Sequence, residues 1–238
     1  MDKVKREDVE LLLSTREALY ALFHRALGCE PNDALIQVLT GEESRVLLSV
    51  VPESEAGRGA FRDYLTELDR LVERYAVSPS EVLSGMKDDY TALFFGPGRL
   101  EAPPSESYYR DSEGSFLSKH TLSVRREYAR WGFGADEHAV EPDDTLVYEL
   151  DFMRALAKKS LASWLDGELD TELHDAQVRF VNEHLLRWLG LYAGDMRACS
   201  RPGVYQQLVQ MLWMFVNWDI RMLQSLPLDF DECASCAA

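Results

Sequence analysis

Two pairs of helix breakers, Gly96-Pro97 and Pro103-Pro104, interrupt a chain that is otherwise patterned for helix, so no helix can run through this point. Aromatics bound the interruption, with Phe94 and Phe95 leading in and Tyr108 and Tyr109 leading out. Flexible linkers are poor in large apolar groups, so the stretch reads as an ordered loop anchored to a core at both ends. The chain is thereby organised as two helical halves, about 6–95 and about 120–225, joined by a loop and hinge at about 96–119.

Upstream of the loop, Val9, Leu12, Leu13, Leu19, Tyr20, Phe23 and Leu27 recur at helical spacing and predict an amphipathic helix from Arg6 to Leu27, stopped by Gly28. Asn32 caps a short helix from Asp33 to Leu39 that ends at Gly41, and a second, from Glu43 to Val50, stops at Pro52. Phe61, Tyr64, Leu65, Leu68, Leu71 and Val72 form the apolar face of a helix from Arg58 to Tyr75. Ser78-Pro79-Ser80-Glu81 has the form of a capping box with proline at the first helical position, and it launches a helix to Phe95.

Downstream, Ser112 to Lys119 is expected to be irregular, and Thr121 to Trp131 reads as a helix stopped by Gly132 and Gly134. Between Trp131 and Met153 stand seven carboxylates (Asp136, Glu137, Glu141, Asp143, Asp144, Glu149 and Asp151) and no lysine or arginine. Pro142-Asp143-Asp144 has the form of a helix start, with acids beside exposed amides at the positive dipole end. Capping accounts for about one or two of these acids and not for the rest. The helix so launched runs to about Leu165, Thr171 to Leu189 makes another, and Gly203 to Leu223, apolar nearly all round, is the expected central buried helix. No strand-like alternation is sustained. The expected fold class is all-α: a single globular multi-helix bundle over residues 1–225, followed by an acidic flexible tail at 226–238.

Charge and motif spacing exclude several functions. Forty-one acidic against 25 basic side chains give a formal charge of −16, which opposes nucleic-acid binding and suits a cationic partner. Met1 to Glu10 is mostly charged and the longest purely apolar run, Met211 to Val216, is far short of a membrane span. The reading is a cytoplasmic protein without stable membrane insertion. Cys29, Cys199, Cys233 and Cys236 do not make a disulfide framework, and the C-x-x-C spacing of Cys233 and Cys236 lies in the tail, outside the strand-to-helix context of a redox site. None of the five histidines has a glutamate three residues earlier or a second histidine four residues away, so helical di-iron and zinc sites are unsupported. There is no phosphate-binding loop and no nucleophile elbow. Neither an enzyme nor a bound metal or cofactor is expected.

Five motifs in one order carry a family resemblance: Leu93-Phe94-Phe95-Gly96-Pro97, Pro103-Pro104-x-x-Ser107-x-Tyr109, Thr121-Leu122-x-Val124-Arg125, Glu141-Pro142-x-Asp144, and His184-Leu185-Leu186-x-Trp188. Together they resemble the TorD/DmsD/NarJ-type maturation chaperones over about Leu19 to Leu223. The resemblance implies a cytoplasmic, all-helical, non-catalytic protein that serves a molybdenum-cofactor oxidoreductase. Such chaperones hold the apo-enzyme, often by its twin-arginine signal peptide, until cofactor is inserted. The implied peptide-binding surface comprises Tyr90, Phe94, Gly96, Pro97, Glu141, Pro142, Asp143 and Asp144, with Ser118 and Thr145 where the family often has glycine and histidine. It also implies a monomer or a dimer that exchanges helical segments, for which the 96–119 loop is a suitable hinge.

The residues themselves are consistent with such a client. A basic leader followed by an apolar stretch calls for carboxylates beside an aromatic groove, and this chain supplies both. Asp144 is expected in the first helical turn, one oxygen oriented by backbone amides and the other facing a cationic guest. An acidic helical interaction scaffold without a molybdoenzyme client would fit the same charge.

Overall fold

Nine buried or nearly buried side chains, from Val9 to Leu27, run down one stripe of the first helix, α1 (Arg6–Gly28), and set it against a neighbour along its whole length. That neighbour is α8 (Leu146–Leu165), with which α1 makes the most extensive helix contact in the fold. The two are antiparallel. Arg6 at the start of α1 donates to the Trp164 carbonyl at the end of α8, 2.8 Å away, while Gly28 at the end of α1 lies under Val147 at the start of α8. The computed structural model describes residues 5–51, 54–96, 100–111, 118–134, 142–167 and 169–226. Pro97, Glu141, Cys233, Cys236 and the 227–238 part of the expected tail lie outside them.

The described chain is all-α. After α1 come α2 (Asp33–Thr40), α3 (Glu42–Ser49), α4 (Glu55–Val77) and α5 (Pro79–Tyr90), which passes into a π-helical turn, π1 (Thr91–Phe95). Then follow α6 (Glu106–Arg110), α7 (Lys119–Arg130), α8, and α9 (Thr171–Phe180), which runs through a second π-helical turn, π2 (Val181–Leu185), into α10 (Leu186–Ala198) and on to α11 (Val204–Ser225). No β-strand occurs among the described residues, only an isolated antiparallel bridge between Ser105 and Thr145. No helix among them is long and apolar enough to cross a membrane.

α11 is the buried helix that the sequence predicts, and it packs on α4, α10, α1 and α9. Gly190 allows the α10 contact to close, because a Cβ there would stand 3.1 Å from the Trp213 ring. A polar knot crosses this core. Arg16 and Asp219 are both fully buried and paired at 2.5 Å, with Tyr20 donating to Asp219 at 2.7 Å and Gln177 accepting from Arg16 at 3.0 Å. Gln177 in turn donates to Ser160 at 2.7 Å, so one ion pair ties α1, α8, α9 and α11 together.

Several boundaries differ from the sequence expectation, for local reasons. α4 starts three residues early because Ser54 accepts from the Gly57 amide and caps it. The Ser78 capping box does not form: the Ser78 side chain makes no cap bond, its amide instead donates to Arg74 at the end of α4, and Pro79 alone begins α5. Pro142-Asp143-Asp144 is a turn before α8 rather than its first turn, and Thr145 is the residue at the cap. α7 begins at Lys119, capped by Ser118, and ends where Gly132 takes φ +64, the left-handed conformation open to glycine at little cost. The Phe133 amide then closes on the Tyr128 carbonyl at 2.9 Å, with the two rings in contact. The expected single helix from Thr171 to Leu189 is a continuous rod interrupted by π2 and extended to Ala198, since Gly190 and Gly194 are tolerated inside it.

Candidate functional site

The loop that the prolines create is fastened to the start of α8 by its backbone. The Glu106 amide donates to the Asp144 carbonyl and the Leu146 amide to the Pro104 carbonyl, each at 2.9 Å, which makes the Ser105–Thr145 bridge. The Asp144 carboxylate, with no exposed surface, then collects three donors: the Ser107 amide at 2.7 Å, the Ser105 hydroxyl at 3.2 Å and the Thr121 hydroxyl at 3.0 Å. Ser118 caps α7 by accepting from the His120 and Thr121 amides, and its hydroxyl lies 3.3 Å from that of Thr121. Asp143 accepts from Arg125 at 2.6 Å, and its carbonyl accepts from Tyr128 at 3.0 Å. Three chain segments, 104–107, 118–128 and 143–146, are thus pinned around one aspartate. A carboxylate serving several donors is suited to this, since each bond is charge-assisted.

A second line of buried acids runs beneath. Glu106 on α6 is fully buried and meets Arg110 with one oxygen and the Nδ1 atom of His184, on π2, with the other at 2.8 Å. Glu149 on α8, also fully buried, accepts from the Trp188 indole at 3.1 Å. Burial above all, with the Glu106 charge and the Asp144 charge adding to it, pushes the Glu149 carboxyl well above the usual carboxylate range. Glu106 itself is held below that range despite its burial, by its bonds to His184 and Arg110. The two carboxyls of this buried row are thus driven in opposite directions.

Above the row opens a cleft of about 390 Å³, lined by Arg110, His120, Ser123, Glu183, His184 and Arg187. Arg110 is held in place there, since it also donates to the Glu183 carbonyl at 2.8 Å. π-helical turns are frequently found at functional sites, and π2 contributes Glu183 and His184 to this one.

The residues expected to form a peptide surface fall into two groups. Ser118, Asp143, Asp144 and Thr145 come together, all of them buried. Tyr90 and Phe94, 5% and 7% exposed, pack instead on Tyr205 of α11, with Gly96 just beyond them at the end of π1. Phe95, their neighbour, is the exposed ring at 51%. The expectation that one Asp144 oxygen faces a guest is corrected: both oxygens are taken by Ser105, Ser107 and Thr121. Pro142 is partly buried in the same turn. Sequence reasoning missed Glu106, Arg110, Glu149 and His184 as a unit. His184 and Trp188 do stand in one of the five family-like motifs, which is the signal that pointed here.

An all-helical bundle with Ser118, Asp143, Asp144 and Thr145 gathered at the start of α8 defines a class of protein that comparison identifies. The family described as nitrate reductase delta subunit, the TorD/NarJ family, matches residues 55–193, more than half of the chain, and the protein belongs to it. Its relatives carry the name of a chaperone. The chaperone protein TorD of Vibrio parahaemolyticus is 25% identical over 90% of this chain and 96% of its own length. The TorD chaperone of Photobacterium profundum is 27% identical over 87% of this chain and 94% of its own. A crystal structure from Archaeoglobus fulgidus, of a protein whose name assigns it to redox enzyme maturation, aligns over 88% of this chain and 93% of its own at 17% identity and a TM-score of 0.44.

Proposed function

We propose that this chain is a cytoplasmic maturation chaperone for a molybdenum-cofactor oxidoreductase, holding the apo catalytic subunit by its basic twin-arginine leader until the cofactor is in place. The observation that carries the reading is that named TorD chaperones align along nearly the whole chain. Segments bearing four of the five family-like motifs add support by meeting around the buried Asp144 and Glu106 carboxylates. In this reading Ser118, Asp143, Asp144 and Thr145 keep the surface in shape, and the leader touches what the fold leaves outside. Phe95, Tyr108 and Leu122 are exposed apolar groups available to the leader's apolar stretch. Tyr90 supports Phe95 from beneath, ring to ring at 5.4 Å. The basic head is drawn by a surface whose formal charge is −16. Gly96, Pro97, Glu141 and Pro142 flank this surface in sequence and complete the proposed site. No catalytic step is required.

Calorimetric titration with a twin-arginine leader peptide tests the reading. Affinity should fall steeply as salt rises past about 0.1 M, where exposed charges are screened beyond about 10 Å. Phe95→Ala should weaken binding about tenfold, as loss of a well-placed aromatic anchor does. Equal binding of a scrambled peptide of the same composition would instead support a non-specific acidic scaffold.

A further inference from the structure

The acidic chain gathers base at one place. Of the six side chains lining the cleft between α6, the start of α7 and the π2–α10 junction, two are arginines and two are histidines. The buried Glu106 carboxylate and the Glu183 carbonyl fix the Arg110 guanidinium, which remains 24% exposed on its outer side. His184 is almost wholly buried and spends Nδ1 on Glu106, so Nε2 is what its ring has to offer the cleft that it lines. Arg187, the second residue of α10, is exposed at the rim, and His120 and Ser123 face it from α7. Three charges oppose this set: Glu106 lies under Arg110 and His184, Asp111 stands 3.6 Å from His120, and Glu183 lines the cleft with its field shared by Arg179.

The geometry points to an oxyanion site: the cleft takes the phosphate group of a small phosphomonoester, with Arg110 and Arg187 on the phosphate oxygens and His120 and Ser123 as further donors. Two guanidinium forks together with His120 and Ser123 offer more N–H and O–H donors than the two oxygens of a carboxylate need, and they suit three terminal phosphate oxygens. Arginine forks suit phosphate by geometry as well as by charge. The cleft is also larger than a phosphate. At about 390 Å³ it falls in the size range of small-molecule sites and leaves room for the group that carries the ester. A twin-arginine head would be repelled by Arg110 and Arg187, so this site stands apart from the proposed leader surface and does not depend on it.

The test is calorimetric titration of the full chain with phenyl phosphate at constant ionic strength, with inorganic phosphate as competitor and benzoate as the carboxylate of matching shape. Phenyl phosphate should bind, be displaced by inorganic phosphate and outcompete benzoate. Arg187→Gln, at an exposed position that leaves melting unchanged, should weaken it at least about tenfold, the worth of one charge-assisted pair. Arg70→Gln, on the exposed face of α4 and paired with Glu67 in the same helix, should change nothing. The inference is overturned if phenyl phosphate does not bind, if benzoate binds as tightly, or if Arg70→Gln weakens binding as much as Arg187→Gln. Leader-peptide titration reports separately, so either reading can fail without the other.

Discussion

Removing the Asp144 side chain should loosen the loop from the bundle, and the size of the effect can be worked out bond by bond. In Asp144→Ala three donors lose their acceptor. Two of them recover: the Ser105 hydroxyl has the Ser107 hydroxyl at 3.0 Å and the Thr121 hydroxyl has that of Ser118 at 3.3 Å. The Ser107 amide does not, because an amide hydrogen cannot rotate toward a new partner. Leaving it buried and unpaired costs about 1–3 kcal/mol, and the charge-assisted bonds lost with it bring the total to roughly 3–4 kcal/mol. Asp144→Asn behaves differently. Its oxygen serves Ser107, its amide donates to the Thr121 hydroxyl, and that hydroxyl turns to Ser118, so only the charge assistance goes, about 1 kcal/mol. Against a total stability of about 5–15 kcal/mol, the alanine loss is a large displacement of a urea midpoint and the asparagine loss a small one. Because neither oxygen faces outward, Asp144→Asn should leave leader-peptide affinity within about twofold, well under the tenfold step of 1.4 kcal/mol. Equal and negligible midpoint shifts in the two variants would refute the clamp. So would an asparagine variant that keeps its stability and loses the peptide, which would make Asp144 a contact residue.

Two further substitutions probe the buried charges. Glu149 has a folded pKa raised above its unfolded value, so its contribution is greatest below about pH 4.3 and is lost, by up to about 1.4 kcal/mol per pH unit, as pH rises toward the folded pKa. Glu149→Gln keeps an acceptor for Trp188 without that loss; it should be the more stable protein in urea at neutral pH, with the advantage shrinking in acid, and a variant less stable at neutral pH would contradict this. Arg16→Met strands Asp219 as a buried anion and should cost about 3–5 kcal/mol, most of it recovered when Asp219→Leu is added. A double variant no better than the single would show that the pair is not what the core needs.

The helices were legible because burial follows a 3.6-residue period: α1, α4 and α11 stand close to where their apolar spacing puts them. What the pattern could not reveal was set by contacts distant in sequence. α6 has five residues just after Pro103-Pro104, too few for a period to show, and it exists because Asp144, nearly forty residues on, accepts its first amides. Pro142-Asp143-Asp144 read as a helix start because acids beside a proline have that local chemistry, yet these acids turn back to α6 and α7. The π-helical turns leave no signature in apolar spacing, since each adds a residue within a rod that stays continuous. The family resemblance implies Tyr90 and Phe94, but only the fold distinguishes these buried rings from exposed Phe95.

The central claim is that the protein recognises a molybdoenzyme before, and not after, it has received its cofactor. Its most direct measurement is the stoichiometry of the complex formed when the chain is co-expressed with a leader-bearing molybdoenzyme catalytic subunit, in a host unable to make molybdenum cofactor and in one that makes it. The account predicts a stable complex with the apo subunit and its loss once the cofactor is supplied. Equal recovery of the subunit in both hosts, or none in either, would contradict it.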